Sequence, residues 1–169
     1  AVNFGIIYGI SSFGLAKNLN CSRQDAKQLI DDYFAKFPKI LEFIDATINI
    51  AKKDGFVRTA FGRRRPLPNI NSSNKMKRQF EERAAVNTLL QGTASEIMKL
   101  GMIKVFSLLE QSNLDATMVL QVHDELVFDV SHEDCEELKM LVKHALESVV
   151  TYQVPLLVDS SVGNNWAFM

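Results

Sequence analysis

The sequence predicts an α+β protein in which an antiparallel sheet, with one tight acidic hairpin, packs on long helices. Three observations carry that reading. Two apolar runs, residues 118–122 and 126–130, are separated only by His123, Asp124 and Glu125, the pattern of a tight hairpin with its charge at the tip. Residues 75–110 contain no proline and place Phe80, Ala84, Leu90, Ala94, Ile97, Val105 and Leu108 along a helical stripe. Shorter strand-like runs near Phe56 and Leu156 lie among helical segments, so both element types share one layered core.

In chain order, the sequence opens without Met inside an apolar stretch, Ala1-Val2-Asn3-Phe4-Gly5-Ile6-Ile7-Tyr8-Gly9, which reads as a piece of a longer protein. Ser22-Arg23-Gln24-Asp25 suits a helix start, because a serine hydroxyl can accept from an amide that the first turn leaves unpaired. After it Ala26, Leu29, Ile30, Tyr33, Phe34 and Phe37 recur at helical spacing. Pro38 fits the first turn of a second helix, with Leu41, Ile44, Ile48 and Ala51 on one face and Gly55 as its stop. Residues 56–61 alternate as a strand. Gly62, three arginines and Pro66-Leu67-Pro68 read as a turn or loop. Beyond the hairpin, Ser131 can cap a helix through Leu138, Leu141, Val142, Ala145 and Val149, and Pro155 leads into a last strand over 156–162.

A chain of 169 residues fits one domain or pieces of two adjoining ones, and 47% hydrophobic with 23% charged residues is too apolar for disorder. No apolar run approaches the roughly 18 residues a membrane span requires. Cys21 and Cys135 form no CxxC spacing and read as reduced thiols of a cytoplasmic protein. The net charge is −1, yet the charge is polarised. Eight basic residues (Arg58, Arg63, Arg64, Arg65, Lys75, Lys77, Arg78, Arg83) fall between 58 and 83 against Glu81 and Glu82, whereas residues 123–147 hold eight acidic residues against Lys139 and Lys143. Such a chain can hold a polyanion at one surface and cations at another; two solvated faces are the plainer alternative.

Adjacent carboxylates at a tight turn repel each other and add little to folding, so Asp124 and Glu125 are easiest to explain if a cation neutralises them. Hard oxygen donors on a rigid scaffold suit Mg²⁺, which takes one or two protein carboxylates and completes its shell with water and substrate phosphates. Two such ions about 4 Å apart stabilise in-line phosphoryl transfer. Side chains alternate along a strand, so one carboxylate is the ligand and the other a supporting group. From these residues alone, a polar tip exposed to water stays open.

Four further segments extend the signal. Val122-His123-Asp124-Glu125 resembles motif C of the family A (DNA polymerase I-type) DNA polymerases, in which the Asp binds catalytic metal. Asn3-Phe4-Gly5-Ile6-Ile7-Tyr8-Gly9 resembles the C-terminal half of motif B, the fingers helix. Thr59-Ala60-Phe61-Gly62-Arg63-Arg64-Arg65 and Glu82-Arg83-Ala84-Ala85-Val86-Asn87, followed by Gln91-Gly92-Thr93-Ala94, are similar to that family's template- and primer-contacting segments. Gly163-Asn164-Asn165-Trp166 resembles its usual end.

The resemblance implies a partial fingers subdomain over 1–54 and a partial palm subdomain over 55–169. It implies nucleotidyl transfer from a dNTP to a primer 3′ end with two Mg²⁺. Asp124 would be the metal ligand, Glu125 secondary, and His123 near the primer end. Phe4 and Tyr8 would receive the nucleotide's sugar and base, although residues so spaced are also common in a core. Arg63, Arg64 and Arg65 would hold backbone phosphates, which position a duplex without reading it; a solvated turn is the ordinary alternative. Arg83, Asn87 and Gln91, four apart on one helical face, would contact primer and template through the minor groove, whose acceptors are common to every base pair. Partners would be primer–template DNA, dNTP and the missing N-terminal part of the same polymerase, with no membrane. The cationic residues before motif B and the carboxylate of motif A would lie upstream, so the chain alone is expected to be inactive. Asp32-Tyr33 superficially matches the opening of motif A, but it belongs to an amphipathic helix. A catalytically silent DNA-binding module and a single-subunit RNA polymerase relative are the rival readings.

Overall fold

The computed structural model describes residues 2–166. They divide into two compact units, with the division between Thr93 and Ala94. In the first unit, α1 (Val2–Ile7), α2 (Ser12–Leu19) and α3 (Arg23–Lys36) enclose a small core of Ile6, Leu15, Ala16 and Ala26, edged by Ile10, Ile30, Tyr33 and Phe34. The predicted start of α3 holds, with the Ser22 hydroxyl accepting from the Asp25 amide at 3.1 Å. Pro38 opens α4 (Pro38–Asp54) and Gly55, at φ +75°, closes it in the left-handed region that glycine occupies without penalty.

Two expectations around the arginines change. The strand expected over 56–61 is shorter, β1 (Phe56–Arg58), and the expected loop contains a second strand, β2 (Arg64–Pro66), antiparallel to it. The turn at 59–62 sets this pairing: the Thr59 amide donates to the Arg63 carbonyl at 3.0 Å and the Gly62 amide to the Thr59 carbonyl at 2.9 Å. Val57, Leu67 and Ile70 pack with Ala51, Ala84 and Ala85 into a second core. Glu81 fastens the loop after β2, its carboxylate accepting from the Asn69 amide at 2.6 Å and the Asn69 side chain at 3.0 Å.

The proline-free stretch is helical as expected, but in three parts. α5 (Lys75–Asn87), capped by Asn74, passes through a π-turn (Thr88–Gly92) into α6 (Thr93–Gln111). A π-turn widens the helix locally, and such bulges are frequent at functional sites.

In the second unit, β3 (Ala116–Val122) and β4 (Glu125–Val130) form the expected hairpin, with a bulge between Met118 and Leu120. The helix expected to start at Ser131 starts about one turn later. The Ser131 hydroxyl accepts from the Asp134 amide at 3.2 Å, and α7 (Cys135–Glu147) follows from Asp134. Val105, Leu138 and Ala145 are buried. The last strand expected over 156–162 is absent among the described residues, where the Val158 amide donates to the Glu147 carboxylate at 2.9 Å. The α+β class with antiparallel pairing therefore stands, as two separate two-stranded sheets. No helix among the described residues is long and apolar enough to cross a membrane.

Candidate functional site

The acidic tip is built by the β3–β4 ladder. Val122 pairs with Glu125, so only His123 and Asp124 form the turn, and His123 takes φ +52°. Positive φ at a non-glycine residue is uncommon, although His tolerates it better than most. The Gln121 side chain reaches round to donate to the His123 carbonyl at 2.6 Å, fixing the bend. Asp124 and Glu125 are exposed and border a groove of about 400 Å³, which Leu138, Lys139, Lys143 and Trp166 also line. Asp124 belongs to the turn, so strand alternation begins only at Glu125. Among the described residues no group of three His, Cys, Asp or Glu side chains could hold a metal ion. The two tip carboxylates match the small number of protein donors magnesium takes, leaving the rest of its shell to water and phosphate.

Within the first unit, Phe4 and Tyr8 share a face as their spacing predicts. Their rings are 6.3 Å apart and nearly parallel at 21°, and Phe4 is 65% exposed. Tyr8 lies just beyond α1, and the next residue, Gly9, runs against the side chain of Arg83 on α5. Arg83 and Asn87 lie four apart on α5, but the α-helical spacing does not continue to Gln91. That residue sits in the π-turn, so the single face expected for all three is interrupted. The Asn87 Oδ1 is buried and accepts no hydrogen bond.

The arginines do not form one surface. In β2, Arg64 and Arg65 alternate between faces. The Arg64 guanidinium lies 4.6 Å from the centroid of Phe56, while Arg65 Nη1 donates to the Thr88 hydroxyl at 3.2 Å. The Arg63 amide donates to the Thr59 hydroxyl at 3.1 Å.

Thr59, Thr88, Gly92 and Thr93 are the site-building residues that sequence reasoning missed. The Ala60 amide donates to the Thr93 hydroxyl at 3.0 Å, and a Cβ on Gly92 would come within 2.8 Å of Thr59 Cγ2. The β1–β2 turn thus seats directly on the π-turn. The only signal in the sequence was that Thr59 and Gly92-Thr93 lie inside segments already singled out for their neighbours.

A family model described as DNA polymerase family A matches residues 1–168. DNA polymerase I of Caldicellulosiruptor bescii is 45% identical over 98% of this chain and 20% of its own length. That of Geobacillus stearothermophilus is 46% identical over 98% of this chain and 19% of its own. The chain therefore spans about a fifth of the length of these curated relatives. Among solved structures, the POL domain of Pol1 from M. smegmatis, in complex with DNA primer-template and dNTP, superposes with a TM-score of 0.87 at 39% identity, covering 91% of this chain and 27% of that one.

Proposed function

This chain belongs to DNA polymerase family A, and from that premise we propose that it forms part of an enzyme of template-directed DNA synthesis, joining a dNTP to a primer 3′ end. The observation that carries this reading is the likeness to a polymerase domain in complex with primer-template and dNTP, which extends over 91% of the chain.

We assign residues 1–54 to the fingers and 55–169 to the palm. Asp124 would hold magnesium, with Glu125 beside it. Two bound ions supply neutralising charge at the attacking and leaving oxygens of the transfer. His123 would lie at the primer end. Exposed Phe4 and half-buried Tyr8, whose rings are nearly parallel, would take the sugar and base of the incoming nucleotide, since aromatic faces stack without reading sequence. Arg63, Arg64 and Arg65 would contact backbone phosphates; Arg83, Asn87 and Gln91 would contact the minor groove of primer and template. The parent's remaining sequence would supply the second metal-binding carboxylate and the cations that grip the triphosphate. Electrostatic stabilisation of the transferring group is the main catalytic contribution in such chemistry, so the 169 residues alone would be inactive. Two free cysteines fit a cytoplasmic setting.

The test is primer extension with Mg²⁺ and all four dNTPs, by full-length protein and by residues 1–169 in parallel, with circular dichroism to verify folding. Templated extension by the full-length protein alone is expected. None by the full-length protein would overturn the reading, and extension by the short chain would overturn its division of the active site.

A further inference from the structure

Arg58 and Arg64 face each other across the β1–β2 pair. The register makes them direct partners, as it does Phe56 with Pro66 and Val57 with Arg65. Side chains alternate along a strand, so Phe56, Arg58, Arg64 and Pro66 share one face while Val57 is buried on the other. Like charges directly opposite on one face of an antiparallel pair are destabilising.

No carboxylate among the described residues offsets this repulsion. Among the described residues neither arginine makes an ion pair with a carboxylate. Asp54 lines the same small pocket as Arg58 and makes none with it. Arg58 Nη1 donates to the Gly62 carbonyl at a long 3.4 Å. Instead both guanidiniums lie against a single ring, 5.1 Å (Arg58) and 4.6 Å (Arg64) from the centroid of Phe56. A guanidinium stacked on a ring is pre-organised and keeps its in-plane N–H donors for an anion.

We infer that Arg58, Arg64 and Phe56 form a phosphodiester-binding site that takes one backbone phosphate of a nucleic-acid duplex between the two guanidiniums. The inference rests on the nucleic-acid reading above and adds to it Arg58 and the ring that holds both arginines. One phosphodiester carries the charge that removes the cross-strand repulsion, and its oxygens accept from both forks. A nucleic acid is favoured over an isolated anion because the cationic stretch continues through Arg63, Arg65, Lys75, Lys77 and Arg78, with only two acidic residues, Glu81 and Glu82, between 58 and 83. Arg65 is turned to the opposite face and bonded to Thr88, so this pair is a separate contact point.

The test uses full-length protein, unchanged and as Arg58→Gln, Arg58→Lys and Arg58→Glu. Duplex affinity is measured across a salt series and Tm for each protein. Arg58→Gln should lower the slope of log affinity against log salt by part of the roughly 0.9 that one phosphate contact carries, because Arg64 still holds that phosphate. Arg58→Lys should restore most of that slope. Arg58→Glu should raise Tm, because a carboxylate then faces Arg64, while lowering the slope by up to about 0.9 as both cations are withdrawn from their one phosphate. A raised Tm with unchanged slopes would show a merely solvated pair and overturn the inference. So would slope losses confined to a free triphosphate or to anionic phospholipid vesicles, with duplex binding intact. Failure of the unchanged protein to bind duplex at all would instead overturn the proposed function.

Discussion

The backbone of Gly9 runs against the stem of Arg83: a Cβ added at Gly9 would lie 2.9 Å from the Arg83 Cγ. The contact joins the end of the segment bearing Phe4 and Tyr8 to the helix bearing Arg83 and Asn87. Gly9 also sits at φ +79°, where a side chain is disfavoured. Gly9→Ala should therefore cost roughly 1–2 kcal/mol from the left-handed backbone alone, and should push Arg83 aside. Chemical denaturation should show that loss, and primer–template affinity should fall with it. Unchanged stability and affinity would mean that the two segments move independently.

Asp124 stands in the turn and Glu125 begins the next strand, so the two carboxylates are held differently. Asp124→Asn keeps shape and removes charge. In the full-length protein, nucleotide addition should fall by about 10²–10³-fold, corresponding to several kcal/mol of lost charge stabilisation, with primer–template affinity largely kept. Glu125→Gln should be milder. Near-normal turnover of the Asp124 variant in single-turnover kinetics would remove it from the metal site.

The parts of this fold that were legible are those with local causes. Ser22 and Gly55 mark helix ends by their own chemistry, and the 118–130 pattern needs only its turn to become a hairpin. The π-turn left no trace in the 3.6-residue stripe. Its contacts come from distant residues, Thr59 against Gly92 and Ala60 bonded to Thr93. β2 was hidden because charge and proline argue for a loop, whereas the turn at Thr59 to Gly62 enforces pairing. Residues 156–162 fail as a strand because apolar alternation does not provide a ladder partner; Val158 bonds a side chain instead. Family resemblance singled out the candidate site residues, but not the threonines that hold the arginine turn in place.

If Arg63, Arg64 and Arg65 each neutralise a phosphate, replacing all three with Gln should flatten the salt dependence of log affinity by roughly 2.7. The structure gives this test finer resolution, since Arg65 is bonded to Thr88 and faces away from Arg64. Single substitutions of Arg63 and Arg65 should each remove about 0.9 when the duplex spans both faces, and that of Arg64 less, because Arg58 shares its phosphate. A triple variant that loses only about 0.9 would confine contact to one face, and an unchanged slope would leave all three as a solvated turn.

Thr93 is the link by which the arginine turn is seated on the π-turn. Its hydroxyl accepts from the exposed Ala60 amide at 3.0 Å, next to the close approach of Gly92 to Thr59. The Thr88 hydroxyl accepts from Arg65 at 3.2 Å and donates to the Ala84 carbonyl at 2.6 Å, a second tie between the same pieces. Thr93→Val preserves shape and removes the acceptor. Water can replace the lost bond to an exposed amide, so the global cost should stay at about 1 kcal/mol or below. The larger effect should fall on alignment, because the phosphate contacts proposed for Arg63–Arg65 and the groove contacts proposed for Asn87 and Gln91 would no longer be held in one register. Primer–template affinity should drop about 2–10-fold, and Thr93→Ser, which keeps the hydroxyl, should recover it. Binding and melting curves on the three proteins decide the point. A Val variant that binds normally, or a Ser variant that fails alongside it, would show that the seat is held by packing at Gly92 rather than by the hydroxyl.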